Sequence, residues 1–155
     1  MVTLHVPDDG ALVCLDPGES RIGVAVRLRG TAMALGRPAL VTGPNVLQQL
    51  REVVEELDAV AIVVGLPLHL RGTKGPAVEK ALVLAREVQQ SCNRPVFLVD
   101  ERLSSVQAQQ VLRTAGRKAR GARGDIDSAS AIIVLQGYLD GIRAIPLEEF
   151  APEKS

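Results

Sequence analysis

Aromatic side chains are almost missing from this chain of 155 residues, which has no tryptophan, one tyrosine and two phenylalanines. Phe97, Tyr138 and Phe150 all fall in apolar stretches or in the tail, which argues against a platform on which single-stranded bases could stack. Histidines number two and cysteines two, and His5, His69, Cys14 and Cys92 match no zinc spacing and no disulfide scaffold. Each cysteine lies in or beside an apolar run, so both are expected to be buried reduced thiols of a cytosolic protein. The chain also lacks a Ser–His or Cys–His constellation, so a covalent catalyst is not indicated. Its longest apolar runs, such as "AVAIVVGLPL", are too short to span a bilayer, and no charged-then-apolar leader opens the sequence. The expectation is a soluble, unexported, cytoplasmic protein. Net charge is missing too: eighteen basic residues cancel eighteen acidic ones, so global charge says nothing about partners.

What is present is a strongly aliphatic chain of one-domain length, 46% hydrophobic. "ALVCLD" and "RIGVAVRL" read as short strands joined by the turn signal "PGES", and "TAMALGRPALV" completes a meander. In "GPNVLQQLREVVEEL", Val46, Leu47, Leu50, Val53, Val54 and Leu57 recur at helical spacing behind Asn45 as N-cap. "AVAIVVGLP" is continuous rather than alternating, as in a strand buried on both faces. A helix follows with Pro76 in its first turn and Val78, Ala81, Leu82, Ala85 and Val88 on one side. "RPVFLVDE" is another buried strand, "SSVQAQQVLRTAG" a capped helix, and "DIDSASAIIVLQGYLDGI" a last helix with Asp125 and Asp127 in its first turn. The predicted architecture is α/β: a mixed five-stranded sheet, three antiparallel strands then parallel ones, flanked by helices. One domain spans 1–155, with a frayed start at about 1–10 and a frayed tail at about 144–155.

Three carboxylates punctuate this order. Asp16 ends the first strand, Glu101 ends the last, and Asp127 opens the last helix. Sites in open α/β sheets form beyond the carboxyl ends of the strands. If the first and last strands approach there, three acids share one pocket, an arrangement that persists only when cations neutralise it. Oxygen-only donors select hard ions, Mg²⁺ or Mn²⁺. Each acid also has an ordinary account. Asp before Pro-Gly is a common turn residue, Asp in a first helical turn is a common cap, and Glu101 stands beside Arg102. Asp125 and Asp100 compete for the same roles.

"LDPGESRIGVAV", "IVVGLPLHLRGTKGP", "VDERLSS" and "DSASAIIVLQGYLD" resemble, in order, the four signature blocks of the YqgF/RuvX family. The likeness runs from about Leu12 to Leu139. Those bacterial proteins have a ribonuclease H-like fold related to the RuvC Holliday junction resolvases. The resemblance implies a metal-dependent phosphodiesterase with Asp16, Glu101 and Asp127 in the family's acidic positions. Two ions roughly 4 Å apart would serve an in-line displacement, with Asp16 bridging them and Asp125 in reserve. The family's assigned tasks are maturation of the 5′ end of pre-16S ribosomal RNA and, for some members, junction resolution. This chain departs from the family at His69 and Arg71, where an Asn and an acidic residue are usual.

Recognition is expected to rest on backbone charge and helix shape. "RTAGRKARGAR", from Arg113 to Arg123, holds five basic residues and no acid, and Arg117, Lys118, Arg120 and Arg123 suit phosphate contacts. Arg21 after the Pro-Gly turn, Lys74 in the loop after "GLP" and Arg102 are further candidates, although Arg21 could equally pair with Glu19 or Asp16. The expected partners are structured RNA or branched DNA and ribosomal precursor particles, with no membrane. Junction resolution would demand a homodimer. The competing readings are a non-catalytic nucleic-acid or ribosome-binding module of the same fold, and a phosphotransferase of the actin and sugar-kinase type. The latter lacks its second lobe here.

Overall fold

The computed structural model of the chain describes residues 9–67, 75–100 and 128–150. Its strands are β1 (Leu12–Pro17), β2 (Arg21–Arg27), β3 (Leu35–Val41), β4 (Ala61–Leu66), β5 (Val96–Asp100) and β6 (Ile145–Pro146). The described helices are α1 (Val46–Leu57), α2 (Pro76–Cys92) and α3 (Ala129–Leu139), followed by a short 3₁₀ turn at Leu147–Phe150. The expected helix over 104–116 and the basic loop lie outside the described residues.

The strands form one mixed sheet in the order β3-β2-β1-β4-β5-β6. β1 pairs antiparallel with β2 and parallel with β4, and β4 pairs parallel with β5. The meander and the parallel half are as the sequence predicts, but the sheet has six strands, not five. The sixth is Ile145–Pro146, antiparallel to Leu98 and Phe97 on β5, inside the segment expected to fray. Two residues carry no periodicity, so nothing in the sequence announces this strand. Leu147, buried beside it, anchors the segment to the core.

Side chains alternate across a strand with period two, and both faces of this sheet are covered. Val13 and Leu15 of β1, Ile62 and Val64 of β4, and Leu98 of β5 pack beneath α1 and α2. Leu12, Cys14, Ala61, Val63, Phe97 and Val99 pack on the opposite side beneath α3. Burial on both faces explains why "AVAIVVGLP" reads as a continuous apolar run rather than an alternating one. Helix α1 buries Val46, Leu50 and Val54 at four-residue steps, while Leu47, Val53 and Leu57 pack at the margin. Asn45 occupies the cap position but its side chain makes no cap bond. On α2, Val78, Ala81, Leu82, Ala85 and Val88 are all buried, with Pro76 at the first helical position.

Cys14 and Cys92 are both buried, in the two different cores, so no disulfide joins them. Burial pushes the Cys92 thiol above its ordinary range. Among the described residues no helix is long and apolar enough to cross a membrane.

Candidate active site

β1, β4 and β5 are parallel, so their carboxyl ends meet at one edge of the sheet, and Asp16, Leu66 and Asp100 mark that edge. Asp16 shares the parity of Leu12 and Cys14 and therefore belongs to the α3 face. Asp100 shares the parity of Leu98 and belongs to the α1/α2 face. The register thus sets Asp100, a competitor of Glu101 in the sequence, on the face opposite Asp16.

The surroundings of Asp16 are unusual for an acid at the end of a buried strand. It is half-buried, and among the described residues its carboxylate makes no hydrogen bond and no ion pair. Its cross-strand partner on β2 is Gly23. On the other flank, one step past the Leu15–Val64 pair, β4 presents Gly65, itself paired with Val99 of the α3 face. Neighbouring strands lie about 4.8 Å apart, so a Cβ at either glycine would project beside the carboxylate. Neither glycine places a side chain there. A carboxylate oxygen in a cradle of this kind fits a hard divalent cation. Among the described residues no three acids, histidines or cysteines cluster as a metal centre; Glu101, Asp125 and Asp127 lie outside the described residues.

Ser128, the residue after Asp127 in the sequence, is completely buried. Its hydroxyl accepts a hydrogen bond from the Val24 amide at 2.9 Å and donates one to the Arg37 carbonyl at 2.6 Å. The β2–β3 ladder breaks at this point, where the register passes from Ile22–Leu40 to Val24–Arg37. Pro38, which has no N–H to give, sits in that bulge. Ser128 therefore replaces a missing rung and pins the start of α3 to β2, one residue from Gly23. Sequence reasoning gave this serine no role.

A cleft of about 530 Å³ opens beside Asp16, lined by Pro17, Gly18, Glu19, Pro67, Pro76, Ala77 and Lys80. Lys80 reaches from α2 to the β1–β2 turn and donates to the carbonyls of Gly18 and Glu19, each at 3.4 Å. The turn itself is tight: the Gly18 amide bonds the Arg21 carbonyl at 2.8 Å, and a Cβ on Gly18 would stand 3.0 Å from that oxygen. The start of α2 offers few amide donors of its own. Pro76 has none, and the Val78 and Glu79 amides are spent on the Gly75 carbonyl. Sequence reasoning also passed over Lys80.

Of the predicted phosphate-binding residues, only Arg21 is described. It is exposed at the start of β2 and has the parity of Gly23, hence the face of Asp16. Lys74, Arg102, Arg117, Lys118, Arg120 and Arg123 lie outside the described residues. His69 and Arg71 do as well.

Comparison with known proteins follows the same outline. A family model described as "RuvX: Holliday junction resolvase" matches residues 10–141. A protein of Chloroflexus aurantiacus named "Putative pre-16S rRNA nuclease" is 37% identical over 141 residues, 90% of this chain and 92% of that one. One of the same name from Anaeromyxobacter sp. (strain K) is 39% identical over 128 residues, 81% of this chain and 93% of that one. Among solved structures, Thermus thermophilus RuvC in complex with a Holliday junction superposes with a TM-score of 0.56 at 17% identity, covering 88% of this chain and 99% of that chain. The Fowlpox virus resolvase bound to junction DNA gives 0.53 at 8% identity, covering 84% and 97%. At such identities the structural likeness speaks for the fold alone, which is RuvC-like and so ribonuclease H-like.

Proposed function

The chain belongs to the RuvX family, and on that premise we propose that it is a divalent-metal-dependent endonuclease of structured nucleic acid. The leading substrate is the 5′ region of pre-16S ribosomal RNA, with the Holliday junction as the second. The observation that carries the reading is Asp16, a half-buried carboxylate set between Gly23 and Gly65 with no partner among the described residues.

Asp16, Glu101 and Asp127 would hold Mg²⁺ or Mn²⁺, two ions in the full site. When bound, such ions activate a water and stabilise the leaving oxygen of an in-line displacement. The protein's own part is to keep the ligands in place. Asp16 is fixed by the β1–β2 ladder and the tight turn behind it. Two facts support Glu101 over Asp100. Glu101 has the sequence parity of Phe97 and Val99, which pack on the Asp16 face, whereas Asp100 has that of Leu98. Support for Asp127 comes from Ser128, its covalent neighbour, which is buried and hydrogen-bonded to β2 and β3 on either side of the bulge. The two glycines keep the space beside Asp16 open for ion and phosphate. The nearest basic groups, Arg21 among them, and the basic run from Arg113 would bind backbone phosphates. No chemistry on this reading needs a covalent intermediate, in keeping with the lack of a nucleophile–base pair. A cytoplasmic setting, ribosomal precursor particles as partners, and a homodimer for two-strand cutting of a junction belong to the same proposal.

The test is incubation of the purified protein with labelled precursor RNA, a four-way DNA junction and plain duplex, each in Mg²⁺, Mn²⁺ or chelator. Cleavage of precursor RNA or junction that needs the ion and is lost in Asp16→Asn is the expected result. Binding without metal-dependent turnover would instead mark a non-catalytic module, and undiminished cleavage by Asp16→Asn would refute the site.

A further inference from the structure

We propose that Lys80 is the phosphate-contacting residue of the Asp16 cleft, gripping a backbone phosphodiester of the nucleic acid while it braces the turn that carries Asp16. The inference rests on the nucleic-acid reading above for the identity of the ligand, and on the cleft's own geometry for the residue.

Among the described residues that line the cleft with Asp16, Lys80 is the only cation. Its ammonium group carries three donors, and two of them reach the Gly18 and Glu19 carbonyls at 3.4 Å, a long separation for hydrogen bonds. Carbonyl oxygens are neutral, so these contacts orient the charge without cancelling it. Among the described residues no carboxylate pairs with Lys80, even though Glu79 is its neighbour and Glu19 lines the same cleft. Of the first-turn amides of α2, Pro76 has none and those of Val78 and Glu79 are used, which leaves an anion the Ala77 amide and the Lys80 side chain as donors here. A phosphate taking one long bond's place would sit in the cleft between the ammonium and the Pro17–Glu19 turn that follows Asp16.

The test is equilibrium binding of a labelled pre-16S leader hairpin and a labelled four-way junction, by fluorescence anisotropy in Ca²⁺, across roughly 50 to 200 mM salt. Wild type, Lys80→Gln and Lys80→Arg are compared, each checked for folding by thermal melting. The expected result is a weaker Lys80→Gln complex whose slope of log K against log salt is smaller by about 0.7 to 0.9, one phosphate contact fewer. Lys80→Arg should keep the wild-type slope. A Lys80→Gln slope equal to wild type overturns the inference, and lowered affinity at unchanged slope overturns it in favour of a brace alone. If wild type binds both probes but cleaves neither in Mg²⁺ or Mn²⁺, the nuclease reading fails while a reduced Lys80→Gln slope still upholds the contact. Failure of wild type to bind either probe overturns both.

Discussion

The two ends of the central strand β1 treat a charge in opposite ways. At its amino end, Arg27 is only 5% exposed, yet its guanidinium donates to the Gly10 carbonyl at 3.1 and 2.7 Å and to the Thr31 carbonyl at 3.2 Å. At its carboxyl end, Asp16 is less buried and holds no partner among the described residues. A buried ion is tolerated when donors or acceptors surround it and is costly when they do not. The first charge is therefore part of the scaffold, closing the chain start and the β2–β3 connection onto the sheet. The second finds no bonding partner among the described residues, as the proposed cation site would require. The acid of β1 and the base of the neighbouring β2 differ in whether the described residues complete their bonding.

This contrast makes opposite demands on paired substitutions, and the largest effect belongs to Asp16. Asp16→Asn should lower metal-dependent cleavage by more than the roughly 10- to 100-fold that second-sphere changes at metal sites cost. Its urea-unfolding midpoint should stay level with wild type or rise, since no hydrogen bond or ion pair is lost. A fall in stability would mean that Asp16 is structural after all, and the two ends of β1 would be alike. Arg27→Met should do the reverse. It strands the Gly10 and Thr31 carbonyls and should cost about 2–3 kcal/mol of folding free energy, read from the same urea curves. Cleavage per folded molecule should be unchanged, and a specific loss of turnover would erase the distinction.

Ser128→Ala tests whether the two regions can be coupled through one residue. Losing the bonds to Val24 and Arg37 inside the sheet should cost about 1–3 kcal/mol. On the reading that Asp127 is a ligand, metal affinity measured by calorimetry should also fall, by about 10-fold or more. A loss of stability with metal affinity intact would confine Ser128 to repairing the β2–β3 bulge.

How much of this could be read from the sequence follows the range of the interaction involved. The strands and helices were legible because apolar periodicity is local: the α2 stripe from Val78 to Val88 and the continuous run of β4 each lie within one element. The order of the meander and the parallel half followed from turn signals and alternating helices. β6 was not legible, because two residues with a proline among them hold no pattern. Ser128 escaped notice because its partners are 104 and 91 residues away, and Lys80 because its contacts span 62 and 61. That Asp100 faces away from Asp16 needed the register, since neighbours in sequence fall on opposite faces of a strand. Asp16 stands out in the sequence for a local oddity, an acid at the tip of an apolar strand. The glycines that make it a cradle are significant only once β2 and β4 are known to flank it.

A third kind of charge bounds the comparison from below. Asp58, with its side chain 97% exposed, stands 3.8 Å from Arg94 at the end of α1. Its backbone is left-handed at φ 51°, so the test must keep a residue that tolerates that conformation, and Asn does. Asp58→Asn removes the charge while preserving shape, and the change in stability should be no more than about 0.5 kcal/mol by urea unfolding. Arg94 keeps its bonds to the Ala59 and Cys92 carbonyls at 2.8 and 3.0 Å, so the loop before β5 should hold without the aspartate. A cost near that of Arg27→Met would mean that proximity of opposite charges, rather than burial with completed bonding, decides which ions the scaffold depends on. The interpretation of Asp16 as a deliberately incomplete site would then lose its contrast.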